Sequence, residues 1–416
     1  MAWSRDVLMV LANTFASDTR VRREAKALAG RGFSVKIVCW DREGRRPSKE
    51  RLDECSVRNI RFGKTAVVLK PQGISSSRVH YLIAACLFQL VVIISVVREV
   101  ARAHTLVLHS HDFNTLLGSV VAKRLLRERV RLVYDCHELT PGAYQEWYGD
   151  LISGVVGRLE LATVTDADSI LAASEAIFRY LRRTSKVPAA VFYTCPGIDE
   201  IPEIPRAVAK AKLGFVGLFV VLFCGRVRQD YDIDMILNAA RDLKANDRSG
   251  FKFVFVGPAD TMSWVANRAM KEGVESLFVF KGWVSYQELL LCYLASDLCF
   301  AVTRNLGLNT QTLIPIKLFE SMACGVPIVA RDGTAVAEIV QKCGCGIMVE
   351  EGTDFAKELI HITENKSILK ALGESSRAAF VAQYNLGQMR ERLIAVYEEM
   401  LSVKATRDID DTFSNS

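Results

Sequence analysis

Short apolar runs alternate with amphipathic stretches along most of this chain. DVLMVL is followed by DTRVRREAKALAGRG and SVKIVCW, and TLVLHS by LLGSVVAKRLL and RLVYDC. Apolar runs of this length, bounded by turn residues, predict buried strands; the longer stretches between them predict helices. Such alternation is the pattern of parallel sheets covered by helices on both faces. It pauses at PGIDEIPEIPRAVAKAKLG, where Pro196, Pro202 and Pro205 crowd together, and restarts with LFVVLFCG, IDMILNAARDL, FKFVFVG, LFVFKG, DLCFAV and VPIVA. The expected fold class is therefore α/β, with two doubly wound Rossmann-like domains, 1–195 and 196–385, joined by a Pro-rich hinge and facing a central cleft. Residues 403–416 read as a disordered tail.

Open α/β sheets bind ligands beyond the carboxyl ends of their strands, so the candidate chemistry is sought there. Three of the six histidines fall in LHSHDFN and YDCHEL, directly after apolar runs. The pairs His111-Asp112 and His137-Glu138 suit acceptor recognition or transition-state support. Their spacing matches no zinc pattern, and no metal site is expected.

In the second half, CGRVRQDYDID follows a strand. Gly225 allows a tight exit, and Arg226 and Arg228 carry guanidinium groups that bind phosphate bidentately. Asp232 and Asp234 spell a DxD but read as a helix cap and a first-turn acid. A further helix begins in IPIKLFESMACG, with Pro315 expected at its first position. The preceding loop NTQTL, with Thr312, Leu313 and Ile314, then presents backbone N–H groups at a positive helix end that attracts phosphate. Lys317 adds a point charge on the same side of the helix as Glu320, which can accept hydrogen bonds from a ribose diol.

Charge and composition refine this picture. The 416-residue chain has a net charge of +6, unevenly spread. Residues 1–195 hold 29 Lys and Arg against 19 Asp and Glu, and the remainder 24 against 28. A basic first half fits attraction to an anionic surface, phospholipid or nucleic acid. Nucleic acid is disfavoured because the basic residues show no interleaved aromatics or recognisable module. Eleven scattered cysteines without paired CxxC elements, and no pattern of a cleavable signal sequence, fit a reducing cytoplasmic compartment. Tyr81 to Val97 is seventeen residues without a charge, bracketed by Arg78 and Arg98. It falls short of a reliable span and reads as a core helix or a helix lying in a membrane interface.

In this order, SDTRVRREAKALAGRGFSVKIV, HSHD, YDCHE, ADSILAAS, CGRV, PIKLFESMACGVPIVA with VAEIV, and MRERLIAVYEEML resemble the retaining glycosyltransferases of family 4, in the two-domain GT-B fold. The resemblance implies transfer of a sugar from a nucleotide donor with retention and no obligatory metal or other cofactor. The donor binds the second domain and the acceptor the first, and the last helix, about 386–402, crosses back onto the first domain. Carried over, Arg226 steadies the donor diphosphate, Glu320 binds the ribose, His111 lies near the reacting sugar, and Gly282 and Trp283 sit where the base is held.

Two positions depart from the family pattern: Thr312 stands where a glutamate is common, and Tyr231 where a lysine is common. Members reading PxKxFE would use Lys317 to supply the missing charge, which makes Arg226, Lys317 and Glu320 the donor-site set. The glycine-rich turn after the first strand is replaced by ANTFASD, with Asp18 and Arg20 as candidates on the acceptor side. The expected enzyme transfers sugar to a lipid-linked or polysaccharide acceptor, with an anionic membrane surface as a further partner. A binding protein that turns nothing over and a nucleotide-sugar epimerase of the same fold are the alternatives.

Overall fold

The computed structural model describes residues 5–62, 76–304 and 307–413. The chain forms two compact units, one of residues 1–194 with 389–416 and one of 195–388.

The amino-terminal unit runs β1 (Asp6–Leu11), α1 (Thr19–Gly30), β2 (Ser34–Trp40), β3 (Lys49–Leu52) and β4 (Cys55–Ile60). It continues with α2 (Ser76–Ala103), β5 (Leu106–His111), α3 (Phe113–Leu126), β6 (Val130–Cys136), α4 (Thr140–Tyr148) and α5 (Asp150–Thr163). β7 (Ser169–Ala172), α6 (Glu175–Leu181) and β8 (Ala189–Val191) complete the order β3-β4-β2-β1-β5-β6-β7-β8. All neighbours pair in parallel except β3 with β4. The central strands are buried on both faces, which is why they read as continuous apolar runs.

The second unit runs α7 (Arg206–Leu213), β9 (Phe219–Cys224), α8 (Ile233–Ala245), β10 (Phe251–Val256), α9 (Ala259–Lys271) and β11 (Phe278–Lys281). Next come α10 (Tyr286–Leu294), β12 (Leu298–Phe300), α11 (Leu308–Thr312), α12 (Ile316–Ala323), β13 (Ile328–Arg331) and α13 (Ala335–Cys343). β14 (Gly346–Val349), α14 (Phe355–Glu364) and α15 (Lys366–Gln383) close it, and α16 (Leu386–Phe413) returns the chain to the first unit. Its sheet is wholly parallel, in the order β11-β10-β9-β12-β13-β14. Strand order reverses between β1 and β5 in one sheet and between β9 and β12 in the other, the points where such sheets open a crevice at their carboxyl ends.

Three expectations change. The apolar segment from Tyr81 to Val97 is the middle of α2, and it is a core helix on one side only. Phe88, Val92, Val96 and Val100, four residues apart, are at most 1% exposed and lie in the core that α2 shares with β1, β2, β5 and α3. Ile83, Leu87, Leu90, Ile94 and Val97 on its other side are exposed. The presumed tail from 403 continues α16 to Phe413, a stretch with no glycine or proline to stop the helix. Residues 309–312 of NTQTL form a helical turn, α11, rather than a loop, and Pro315 is the residue before α12, with extended backbone, rather than its first residue.

Candidate functional site

In the amino-terminal unit, the ends of β5 and β6 and the start of α1 bring together a buried polar cluster. Asp18 caps α1 by accepting from the Val21 N–H at 3.0 Å and takes a second bond from Asn13 Nδ2 at 2.9 Å. The cap fixes the first turn of α1, which points Arg20 and Glu24, one turn apart, into the unit. The Arg20 guanidinium binds both oxygens of Asp135, with Nε at 2.9 Å from Oδ2, donates to the Phe192 carbonyl, and lies 3.1 Å from Glu24 Oε1. Arg20 is thus not a free guanidinium on the acceptor side; it is a buried strut that ties α1 to β6 and to the segment after β8.

Asp135 Oδ2 is shared by three donors. His111 Nδ1 lies 3.2 Å away and His137 Nε2 2.7 Å away, beside Arg20. Burial alone would raise the Asp135 carboxyl, but Arg20 and His137 outweigh it and hold the group well below the usual carboxylate range. Glu24 has no such surplus of donors: burial, then Asp135, pushes its carboxyl well above the usual range. His109 and His111, stacked 4.4 Å apart, are pushed down by burial and are neutral imidazoles. Tyr397 of α16 meets His109 Nδ1 at 2.8 Å, which fixes that ring from behind.

His137 differs. Burial would pull it down, but Asp112 and Asp135 outweigh that and push it up to about 10, so it is an imidazolium at neutral pH. Asp112, with φ of +61°, accepts from the His137 N–H at 2.9 Å and stands 3.5 Å from its Nδ1. His111 is 1% exposed, whereas His137 and Asp112 are 16% and 36% exposed. The face this cluster offers to a ligand is therefore His137 with Asp112, and His111 stands behind them. Glu138 is exposed and outside the cluster.

The donor atoms of Glu24, His109, His111 and Asp135 all lie within 4.8 Å of one another, close enough to be tested as a metal site. The set does not fit one well. Arg20 already occupies both carboxylates, and a divalent ion would sit against its buried positive charge.

In the second unit, the corresponding positions lie around the end of β9. Gly225 has φ of +106°, and Gly257, after β10, packs on it so closely that a Cβ there would meet the Gly225 carbonyl oxygen at 2.3 Å. A Cβ on Gly225 itself would lie 4.0 Å from Lys317 Nζ, so the α12 lysine reaches the exit of β9. Lys317 is buried, and its ammonium stands 4.0 Å from the ring centroids of both Phe223 and Tyr231. Among the described residues no carboxylate lies within ion-pair distance of it, and the polar side chain beside it is Tyr231. Burial would lower its pKa, but Tyr231 and the Cys224 and Cys299 thiols outweigh that and hold it above the usual lysine range.

Glu320, one turn further on α12, is also buried and accepts from the Tyr293 hydroxyl at 3.0 Å. Arg226 is half exposed, held by a distant ion pair to Asp260 at 3.6 Å. Gly282 and Trp283 follow β11 in the open, with Trp283 79% exposed. Thr312 ends α11 by bonding back to the Leu308 carbonyl, and Leu313 and Ile314 link α11 to α12. Asp232 caps α8 and pairs with Arg331, while Asp234 is taken by Arg268 and Arg304, so neither carboxylate of the DxD is free.

Glu24, Asp135, Tyr293 and Gly257 were not singled out from the sequence. Glu24 is four residues from Arg20 on one helix face, a legible spacing. Gly257 ends FVFVG as Gly225 ends VLFCG, another available signal. Nothing local marks Asp135 or Tyr293.

Each unit matches a family of known proteins. The family model described as "Glycosyl transferases group 1" matches residues 206–379, and the one described as "Glycosyl transferase 4-like domain" matches residues 16–196. No curated protein matches the sequence. Among solved structures, sucrose-phosphate synthase from Thermosynechococcus elongatus is 16% identical with a TM-score of 0.72, over 96% of this chain and 99% of that one. HepE of Anabaena in complex with UDP is 14% identical with a TM-score of 0.71, over 95% and 100%. WaaG, a glycosyltransferase involved in lipopolysaccharide biosynthesis, is 14% identical with a TM-score of 0.61, over 94% and 99%. At these identities the structural likeness is one of fold.

Proposed function

The chain belongs to the group 1 glycosyltransferases and carries their GT-B fold, and on that premise we propose that it transfers a sugar, with retention at the anomeric carbon, from a nucleoside-diphosphate donor to a lipid-linked or polysaccharide acceptor. The observation that carries the donor assignment is the buried Lys317 ammonium beside the Gly225 backbone, with no carboxylate to balance it. A buried cation with no carboxylate beside it is open to the counter-charge of an anionic ligand. A diphosphate at the end of β9 supplies it.

In this reading the bond from the anomeric carbon to the diphosphate breaks, the acceptor hydroxyl oxygen bonds to that carbon and gives its proton to the departing phosphate oxygen, and the nucleoside diphosphate leaves. Lys317 and Arg226 neutralise the charge that builds on the departing phosphate, so the step needs no metal. Glu320 holds the ribose, and the chain beside Thr312, Leu313 and Ile314 contacts the donor. Gly282 and Trp283 receive the base, for which the exposed indole offers a stacking face. His137 and Asp112 meet the sugar or acceptor, and His111 orients them. HepE has been crystallised with UDP and with UDP-glucose, which supports a uridine diphosphate sugar as the first donor to test. A cytoplasmic site of action at the inner face of a membrane fits an acceptor carried on lipid.

The test is a panel of uridine, guanosine and adenosine diphosphate sugars, read by heat stability and by release of free nucleoside diphosphate. Selective stabilisation with slow release identifies the base. No stabilisation by any member of the panel removes the donor assignment.

A further inference from the structure

We infer that the outer surface of α2, α3 and α5 is a docking face for a bilayer containing anionic phospholipid, on which the enzyme lies without spanning it. Every exposed large apolar side chain of the amino-terminal unit, among the described residues, belongs to one of these three helices. On α2, Ile83, Leu87, Leu90, Ile94 and Val97 recur at intervals of four and three, a single stripe about 21 Å long at the helical rise. Val121 and Leu125 on α3, and Leu151 and Val155 on α5, extend it sideways, Leu151 being 83% exposed.

The three stripes share one outer surface. The inner sides of α2 and α3 pack on one face of the sheet in a single apolar core, and Val156 of α5 packs against the same core. Their outer sides therefore turn away from that sheet face together. An apolar band of this extent is unusual on a soluble monomer. Spanning is excluded by the same packing, because Phe88, Val92, Val96 and Val100 are committed to the core.

Charge decides what covers the face. Arg98, Arg102, Arg124, Arg127, Arg129 and Arg158 are exposed on or at the ends of these helices, against Glu128 and Asp150 as exposed acids; Arg102 and Arg124 are paired with the half-buried Glu99 and Asp166, and the balance stays basic. In a two-fold dimer built on this patch the arginines of both copies would share one interface and repel. Anionic lipid turns the same charges into attraction, and apolar side chains with a basic rim are the makeup of a surface that lies in the headgroup region. The inference rests on the proposed function only for the presence of a membrane near the site of action; the face itself is read from the amino-terminal unit.

The test is flotation of the full-length protein with vesicles of phosphatidylcholine alone or with about a third phosphatidylglycerol, at low and high salt. Binding to the anionic vesicles is expected, falling at least about tenfold at high salt and at least about tenfold in Leu90→Lys/Ile94→Lys and in Arg98→Glu/Arg158→Glu. All four positions are exposed, so the fold should survive, and nucleoside-diphosphate release from the donor without vesicles, measured alongside, shows whether it has. Absence of binding to anionic vesicles, or binding that neither double variant weakens, overturns the inference while leaving the donor assignment intact. So does a dimer by sedimentation that Leu90→Lys/Ile94→Lys dissociates in a protein that ignores vesicles, which would assign the face to a second copy of the chain.

Discussion

The ammonium of Lys317 stands 4.0 Å from the ring centroid of Tyr231, although the two come from different elements, α12 and the segment after β9. Tyr231 occupies the position where the family commonly carries a lysine. The geometry sets that departure beside Lys317: the tyrosine ring forms part of the aromatic wall that seats the α12 lysine, with Phe223 5.1 Å away across an edge-to-face contact. Lys317→Met should therefore lower turnover by roughly a hundredfold or more, as loss of one transition-state donor does. The methionine keeps an apolar stem against the Phe223 and Tyr231 rings and gives up only the cation–π contacts, so urea midpoints should fall little. A variant that loses stability and activity together would argue that Lys317 is structural.

Arg226→Ala should lower turnover by roughly a hundredfold with little loss of stability, because its side chain is half exposed and its ion pair to Asp260 is long. Initial-rate kinetics alongside thermal melting separate the two effects. Turnover like that of the wild type would count against a diphosphate role.

Arg20→Leu is predicted to be among the most damaging single changes in the amino-terminal unit. It leaves Asp135 buried without its bidentate partner and frees the Phe192 carbonyl. Breaking a buried pair by removing one member costs about 3–5 kcal/mol, measurable by urea unfolding. A loss below about 1 kcal/mol, as for a surface pair, would contradict the strut assignment.

His137 gives the protein a pH-dependent term with a definite sign. Its folded-state pKa of about 10 lies above the ordinary 6.5, so its contribution is fully present below about 6.5 and is lost as pH rises through about 10. His137→Gln should destabilise the protein at neutral pH, and the difference from wild type should shrink steadily up to pH of about 10. Urea midpoints at a series of pH values test this. A difference that stays constant with pH would mean that His137 is neutral in the folded state.

Gly257→Ala tests the close approach of the β9 and β10 exits. The added carbon would fall 2.3 Å from the Gly225 carbonyl oxygen, so the backbone beside Lys317 must move. A loss of about 2 kcal/mol or more in stability is expected, together with weakened donor binding measured by calorimetry.

Much of the architecture is legible from local pattern. Strand and helix alternation follows from side-chain period, which is a property of neighbouring residues, and it places His111, His137 and Gly225 at or next to strand ends. The helix caps at Asp18 and Asp232 lie within four residues of the groups they satisfy. The order of motifs likewise places the chain among the group 1 glycosyltransferases.

What neighbouring residues do not encode is which distant group meets which, and there the tertiary structure decided. Sheet order puts β1, β5 and β6 side by side, and only that adjacency turns Arg20 from a free guanidinium into the partner of Asp135 and sets His137 in front of His111. The seating of Lys317 against Tyr231 depends in the same way on where α12 meets the end of β9. For α2 the sequence by itself determined that an uncharged, apolar helix would form, while its period could not say how many of its sides the protein covers. The sheet and α3 cover one side, and the other stays exposed.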